Sequence, residues 1–203
     1  MQRPGRVTLL TLFAAVAMAS GCGTTTPASS VIKTFNGVDG TAPFTNVLII
    51  GVAGEFPTRV RFEQELAAAL SGEETAATAY YTIVGRIAPL TRVTLHNVVM
   101  VREFDAIVLT RMKGQDPAGL IPNRPTGSGF DLYLYDYEEL NIPANIPIGS
   151  TVSFIVEVYD TRAKKKVWAL ESLIFDSKSV DSVVSGQAAA IAGEIIRDGL
   201  VLP

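Results

Sequence analysis

One histidine and one cysteine stand in 203 residues, and that scarcity limits the chemistry open to the chain. A Ser/His/Asp relay would have to run through His96, and no Gly-x-Ser-x-Gly elbow exists to present a serine. A protein zinc site takes three or four nitrogen, thiolate or carboxylate ligands, usually several of them His or Cys, so no metal and no cofactor is expected. Carboxylates are more plentiful. Asp131, Asp136, Glu138 and Glu139 cluster, and a pair flanking a glycosidic bond could hydrolyse a cell-wall glycan by acid/base chemistry. The same cluster suits a solvated strand end, and the chain is read as a non-enzyme. "GVAGEF", Gly51 to Phe56, puts glycines between an apolar run and a helix, where backbone amides can cradle phosphate. It lacks the Lys-Ser/Thr of a P-loop, and a tight turn accounts for it.

The lone cysteine has a more specific setting. Arg3 and Arg6 precede the apolar run Val7 to Ala19, and the small residues Ala19, Ser20 and Gly21 lead into Cys22. This is a signal-peptide layout, with an apolar run shorter than the roughly 20 residues a membrane-spanning helix needs. "ASGC" resembles the lipobox of bacterial lipoproteins, with Ala19 where Leu is commonest. The resemblance implies cleavage before Cys22, diacylglycerol on its sulfur and acylation of the new amine. Several acyl chains hold a protein firmly where one holds it marginally. Gly23, in place of Asp, implies sorting to the outer membrane of a Gram-negative cell, with the domain facing the periplasm.

Residues 1–21 are thus expected to be a signal peptide, 22–45 a lipidated cysteine and flexible tether, and 46–203 a single periplasmic domain. Cleavage leaves 182 residues (203 − 21) and removes Arg3 and Arg6, giving 15 basic against 20 acidic residues and a formal charge of −5. An acidic surface does not suit a phosphate backbone, so nucleic acid is not an expected partner.

A further candidate is "YLYDY". Tyr133, Tyr135 and Tyr137 alternate with Leu132, Leu134 and Asp136, which lines the three rings along one strand face. Tyrosine combines a large apolar area with a polar tip and is enriched at interfaces, so these three are candidate partner-binding residues. A core face beneath a helix is the equal alternative. The Gly/Pro-rich segment Gly114 to Gly129 is the competing interaction surface.

The elements that must position these residues follow from periodicity. "NVLIIGV" is a continuous apolar run that suits a buried strand. "PTRVRFEQELAAALSG" reads as a helix with Phe62, Leu66, Ala69 and Leu70 on its buried face, and Arg59, Arg61, Glu63 and Glu65 mostly elsewhere. "TAATAYYTIV" reads as a strand, "LTRVTLHNVVMVRE" as a helix and "FDAIVLTRM" as a buried strand. "FDLYLYDYEEL", "TVSFIVEVYDTR" and "KKVWALESLIFD" follow as strands, the last two forming an antiparallel hairpin. "VDSVVSGQAAAIAGEIIRDGL" is a closing helix, its stripe running through Val180, Val184, Ala188, Ile191 and Ile195, with Gly186 and Gly193 weakening it. The fold expected is α/β: a mixed β-sheet of about five to six strands covered by two to three helices, with a strand-rich C-terminal half.

"NVLIIGV" opening the domain and "IVEVYDTRAKKKVWALES" closing the sheet resemble a strand pair in a group of envelope proteins. The group includes the outer-membrane lipoprotein activators of peptidoglycan synthases, the curli-secretion lipoprotein and the N-terminal domain of TolB. In them a strand ends in Asp, a short polar turn follows and the return strand carries Trp, as at Asp160 and Trp168. The resemblance implies the α/β fold and a non-catalytic, accessory or protein-binding role in the envelope, with an envelope protein as partner. A self-assembling export component is the remaining alternative.

Overall fold

The computed structural model describes residues 29–37, 43–52, 56–86, 91–113, 152–174 and 179–203. Among them run β1 (Ser29–Asn36), β2 (Asn46–Val52), α1 (Phe56–Leu70), β3 (Ala76–Ala79), α2 (Tyr80–Val84), α3 (Arg92–Arg102), β4 (Ala106–Lys113), β5 (Val152–Asp160), β6 (Lys165–Ile174) and α4 (Val180–Arg197). The six strands form one sheet in the order β1-β6-β5-β4-β2-β3. β3, β2 and β4 are parallel, and β4, β5, β6 and β1 are antiparallel to their neighbours. This is a mixed-sheet α/β fold with four described helices.

Two cores explain why the central strands are apolar on both faces. Val47 and Ile49 of β2, Val108 of β4, Val156 and Val158 of β5 and Leu170 of β6 lie against α1 and α4. Leu48 and Ile50, Ile107 and Leu109, and Tyr159 lie under Leu95, Val98 and Val99 of α3 and Tyr80 of α2. Successive residues of a strand point to opposite faces, so a strand covered on both sides reads as an unbroken apolar run.

Local chemistry fixes the ends. Thr91 caps α3 by accepting from the Thr94 N–H at 3.2 Å. α4 ends in a Schellman motif, with Leu200 N–H on the Ile195 carbonyl at 3.2 Å, Gly199 N–H on that of Ile196 at 2.9 Å, and Gly199 at φ 71°. The β5–β6 turn is held by Asp160, whose Oδ1 accepts from the Arg162 and Ala163 amides, both at 2.8 Å. The strand-terminal Asp therefore organises the polar turn that follows it. At the same end of the sheet, Asp105 accepts from the Thr45 N–H at 2.9 Å, the Thr45 hydroxyl at 3.0 Å and the Asn46 N–H at 3.0 Å. It thereby clamps the start of β2 to that of β4. An Asp105→Asn substitution places an NH2 donor among these donors. It is expected to lower the denaturant-derived stability by about 2 kcal/mol, the cost of a buried donor left unmet.

Several expectations change. Residues 22–45 are not all tether, because Ser29–Asn36 pairs with β6 as an edge strand and Phe44 is buried. A register shift between Lys33 and Phe35 puts Ile32 and Phe35 on the same face, which hides the period-2 pattern. The strand read in "TAATAYYTIV" stops at Ala79, and Tyr80–Val84 is helical. The aromatic, β-branched composition favours a strand, but the Tyr81 N–H is taken by a side chain of α1 and the chain turns onto the other face of the sheet. On α1, Ala67 is buried and Ala69 exposed, and on α3 Val98 is buried while Val93 and Val101 are exposed. Gly186 and Gly193 do not break α4; a Cβ at either would meet nothing within 4 Å. The "FDLYLYDYEEL" strand lies outside the described residues.

Candidate functional site

The C-terminal ends of β2 and β3 converge on one buried carboxylate. Glu63 lies about two turns into α1 beside Phe62, Leu66 and Leu70, so the helix carries it into the core at 0 % exposure. Its Oε1 accepts the Gly51 N–H at 3.0 Å from the end of β2, and its Oε2 accepts the Tyr81 N–H at 2.7 Å from the start of α2. One side chain thus ties together three elements. Gly51 allows the close approach: a Cβ there would sit 3.2 Å from Phe62 Cδ1 and 3.4 Å from Glu63 Cγ.

Burial pushes the Glu63 carboxyl up to about 7, against the opposing pull of the Gly51 and Tyr81 amides and the Arg59 charge. Arg59 Nε is 3.6 Å from Glu63 Oε1, an i,i+4 ion pair too long for a hydrogen bond, and this buried nitrogen makes no hydrogen bond. Its Nη2 reaches the Gly85 carbonyl at 3.5 Å. Tyr80 is wholly buried and its hydroxyl has no partner. Burial raises its phenol to about 12, opposed by Arg59 and assisted by Glu63. The Arg59 and Arg86 guanidiniums both lie over the Phe56 ring, at 5.1 and 5.6 Å from its centroid.

A second polar cluster crosses the antiparallel half. Lys33 of β1 meets Asp198 at 2.5 Å, and the Trp168 indole N–H donates to the other Asp198 oxygen at 2.7 Å. Burial raises the Asp198 carboxyl, but the Lys33 and Trp168 hydrogen bonds and the Lys33 and Arg197 charges together outweigh it and hold the group below the ordinary carboxylate range. Glu157, also buried, accepts from Tyr159 Oη at 3.2 Å and Lys166 Nζ at 3.4 Å.

Of the residues singled out in the sequence, His96 is exposed on α3 and Gly51 sits in the Glu63 cluster. Cys22, the tyrosines Tyr133, Tyr135 and Tyr137, the carboxylates Asp131, Asp136, Glu138 and Glu139, and the loop Gly114 to Gly129 lie outside the described residues. Among the described residues, no three His, Cys, Asp or Glu side chains gather as a metal site, and no helix is long and apolar enough to cross a membrane. Residue type alone groups Glu63 with the polar side of α1, and the structure corrects this. Its spacing to Leu66 and Leu70, three and seven residues on, places it in the buried stripe and is the signal that reveals it.

No protein-family model matches the chain, and no curated protein matches it. Among solved structures it is similar to the PelC dodecamer from Paraburkholderia phytofirmans in space group P6, at 10 % identity and a TM-score of 0.48, over 87 % of this chain and 100 % of that one. A point variant of the same dodecamer in space group C2 matches at 10 % identity and a TM-score of 0.44, over 80 % and 95 %. At that identity and those scores the likeness carries no functional argument.

Proposed function

We propose that the protein is a lipoprotein of the Gram-negative outer membrane, anchored through Cys22, whose periplasmic domain is a non-catalytic module that binds another envelope protein. The observation that supports the binding role is the outward face of α3. Leu95, Val98 and Val99 fill the core beneath it, yet Val93, Met100 and Val101 are 69 %, 64 % and 77 % exposed. These three apolar side chains stand among the exposed polar residues His96, Asn97 and Arg102, a mixture of apolar and polar surface that suits an interface. The buried Glu63, by contrast, is committed to backbone amides that hold the fold, and this use calls for no turnover.

The anchor and the binding face have separate tests. Cys22→Ser is expected to abolish labelled-palmitate incorporation and leave the precursor unprocessed; labelling equal to wild type would overturn the anchor. A photo-crosslinking side chain at Met100 is expected to give a discrete protein adduct in intact cells that one at Lys165, in the β5–β6 hairpin, does not. The same adduct pattern from both positions, or none from Met100, would sink the binding face.

A further inference from the structure

We propose that Asn36–Gly37, where β1 ends, is a site of spontaneous deamidation that stays closed while the edge strand is docked on β6 and opens when the strand leaves. An asparagine followed by glycine is prone to this reaction because no side chain on the second residue hinders ring closure. The Gly37 backbone nitrogen gives up its proton to hydroxide or water and attacks Asn36 Cγ. The Cγ–Nδ2 bond breaks, ammonia leaves and a five-membered succinimide forms. Water then opens the ring at either carbonyl, giving aspartate or isoaspartate. The net change is one water taken in and one ammonia released, with no oxidant or reductant.

The ladder gates the first step. The Gly37 N–H, on the nitrogen that must attack, donates to the Val167 carbonyl at 2.8 Å, and Asn36 pairs with Trp168 in the same antiparallel run. A proton held in that bond is not readily surrendered, and a paired, extended strand holds the backbone away from the folded-back geometry of ring closure. The gate is nevertheless light. β1 has one strand neighbour, Ile32 to Asn36 are all exposed, and beyond the ladder the strand is held by Val31 against the α4 side of the core and by Lys33 on Asp198 at 2.5 Å. An element with so few buried contacts belongs to the part of a fold that opens locally.

The strand itself requires the vulnerable glycine. A Cβ at position 37 would lie 2.9 Å from Phe35 Cζ and 3.4 Å from the Val167 carbonyl oxygen, so a side chain there would force the Phe35 ring aside. Modification makes the release lasting. In isoaspartate the chain continues through the side-chain carboxyl, which inserts one extra backbone carbon before Gly37. The Asn36–Trp168 pair and the Gly37–Val167 bond then fall out of step and the end of β1 cannot return to its register.

The full chain is to be incubated at mildly alkaline pH in isotopically labelled water, folded and in urea, and followed by peptide mass spectrometry. In urea Asn36 is expected to convert to a mixture of aspartate and isoaspartate carrying the label; in the folded chain the conversion should be slower by about tenfold or more, the cost of opening the strand. Lys33 is exposed, so Lys33→Ala keeps the core while removing one tether, and it should raise the folded-state rate by about twofold to fivefold with the rate in urea unchanged. Asn36→Asp supplies the negative charge without the extra carbon, and its Gly37 amide should stay protected from hydrogen exchange where that of the isoaspartyl product does not. No conversion of Asn36 in urea would overturn the site. Equal rates in the folded and unfolded chain, or a folded-state rate indifferent to Lys33→Ala, would overturn the gate, and Gly37 protection in the isoaspartyl product equal to that of fresh protein would overturn the lasting release.

Discussion

Trp168→Ala is expected to leave most of the protein unfolded at 37 °C. Trp168 is wholly buried on β6 against the α4 side of the core, and emptying a site of that size costs about 3–5 kcal/mol. Its indole N–H also donates at 2.7 Å to Asp198, and losing a hydrogen bond to a charged group adds about 1.5–3 kcal/mol. The sum approaches the whole stability of an ordinary domain, roughly 5–15 kcal/mol. Trp168→Phe keeps most of the packing and loses the donor, so it should cost less than half as much. Because Trp168 is the sole tryptophan, urea melts followed by far-ultraviolet circular dichroism are the measurement. Equal midpoints for the two variants would contradict the account, since they differ chiefly in packed volume.

The second large effect is a stability that falls as the solution becomes less acidic. Glu63 titrates at about 7 in the folded chain and near 4.5 when free, so between those values the folded state holds more protons than the unfolded one. Stability then decreases as pH rises through this window, by roughly 3 kcal/mol in total for a shift of this size. The stabilising contribution is complete below about pH 4.5 and lost above about pH 7. Asp198, whose carboxyl is depressed, acts in the opposite sense, but only below its ordinary value of 3.8, outside this window. Denaturant melts at pH 5 and pH 8 should show wild type less stable at the higher value and Glu63→Gln nearly level. A slope that survives in Glu63→Gln would assign the effect to another group.

The legible elements of the fold are those in which one periodicity governs the whole length. β2 and β4 read as buried strands because both faces are covered, and the β5–β6 hairpin is marked by Asp160 and the polar run to Lys166. α4 is visible from its stripe through Val184, Ala188, Ile191 and Ile195, all buried. The obscure elements each have a physical cause. β1 carries a bulge that shifts its alternation halfway along, and its only strand neighbour, β6, is distant in sequence. α2 is written in strand-forming residues, and its turn away from the sheet depends on Glu63, 18 positions before Tyr81. Glu63 itself reads as a solvent-facing charge when residue type is allowed to outweigh position. The candidate-site residues chosen from the sequence, Cys22, Tyr133, Tyr135 and Tyr137, fall outside the described residues, whereas the Glu63 and Arg59 cluster depends on a β2–α1–α2 junction that no linear motif spells out.

The position of β1 also decides how mechanical load would enter the domain. With Cys22 lipidated as proposed, seven peptide steps separate the anchor from Ser29, at most about 25 Å of chain. A pull away from the membrane is therefore applied at one end of an edge strand that has a single neighbour, β6. Loaded from Ser29, the strand peels, and its bonds to β6 break in succession. The Lys33–Asp198 pair and the Gly37 amide on the Val167 carbonyl, at 2.8 Å, lie further along and yield last. Releasing the eight residues of β1 would lengthen the leash by about another 27 Å while β2 to β6 stay paired, so the edge strand acts as a yielding link between bilayer and domain.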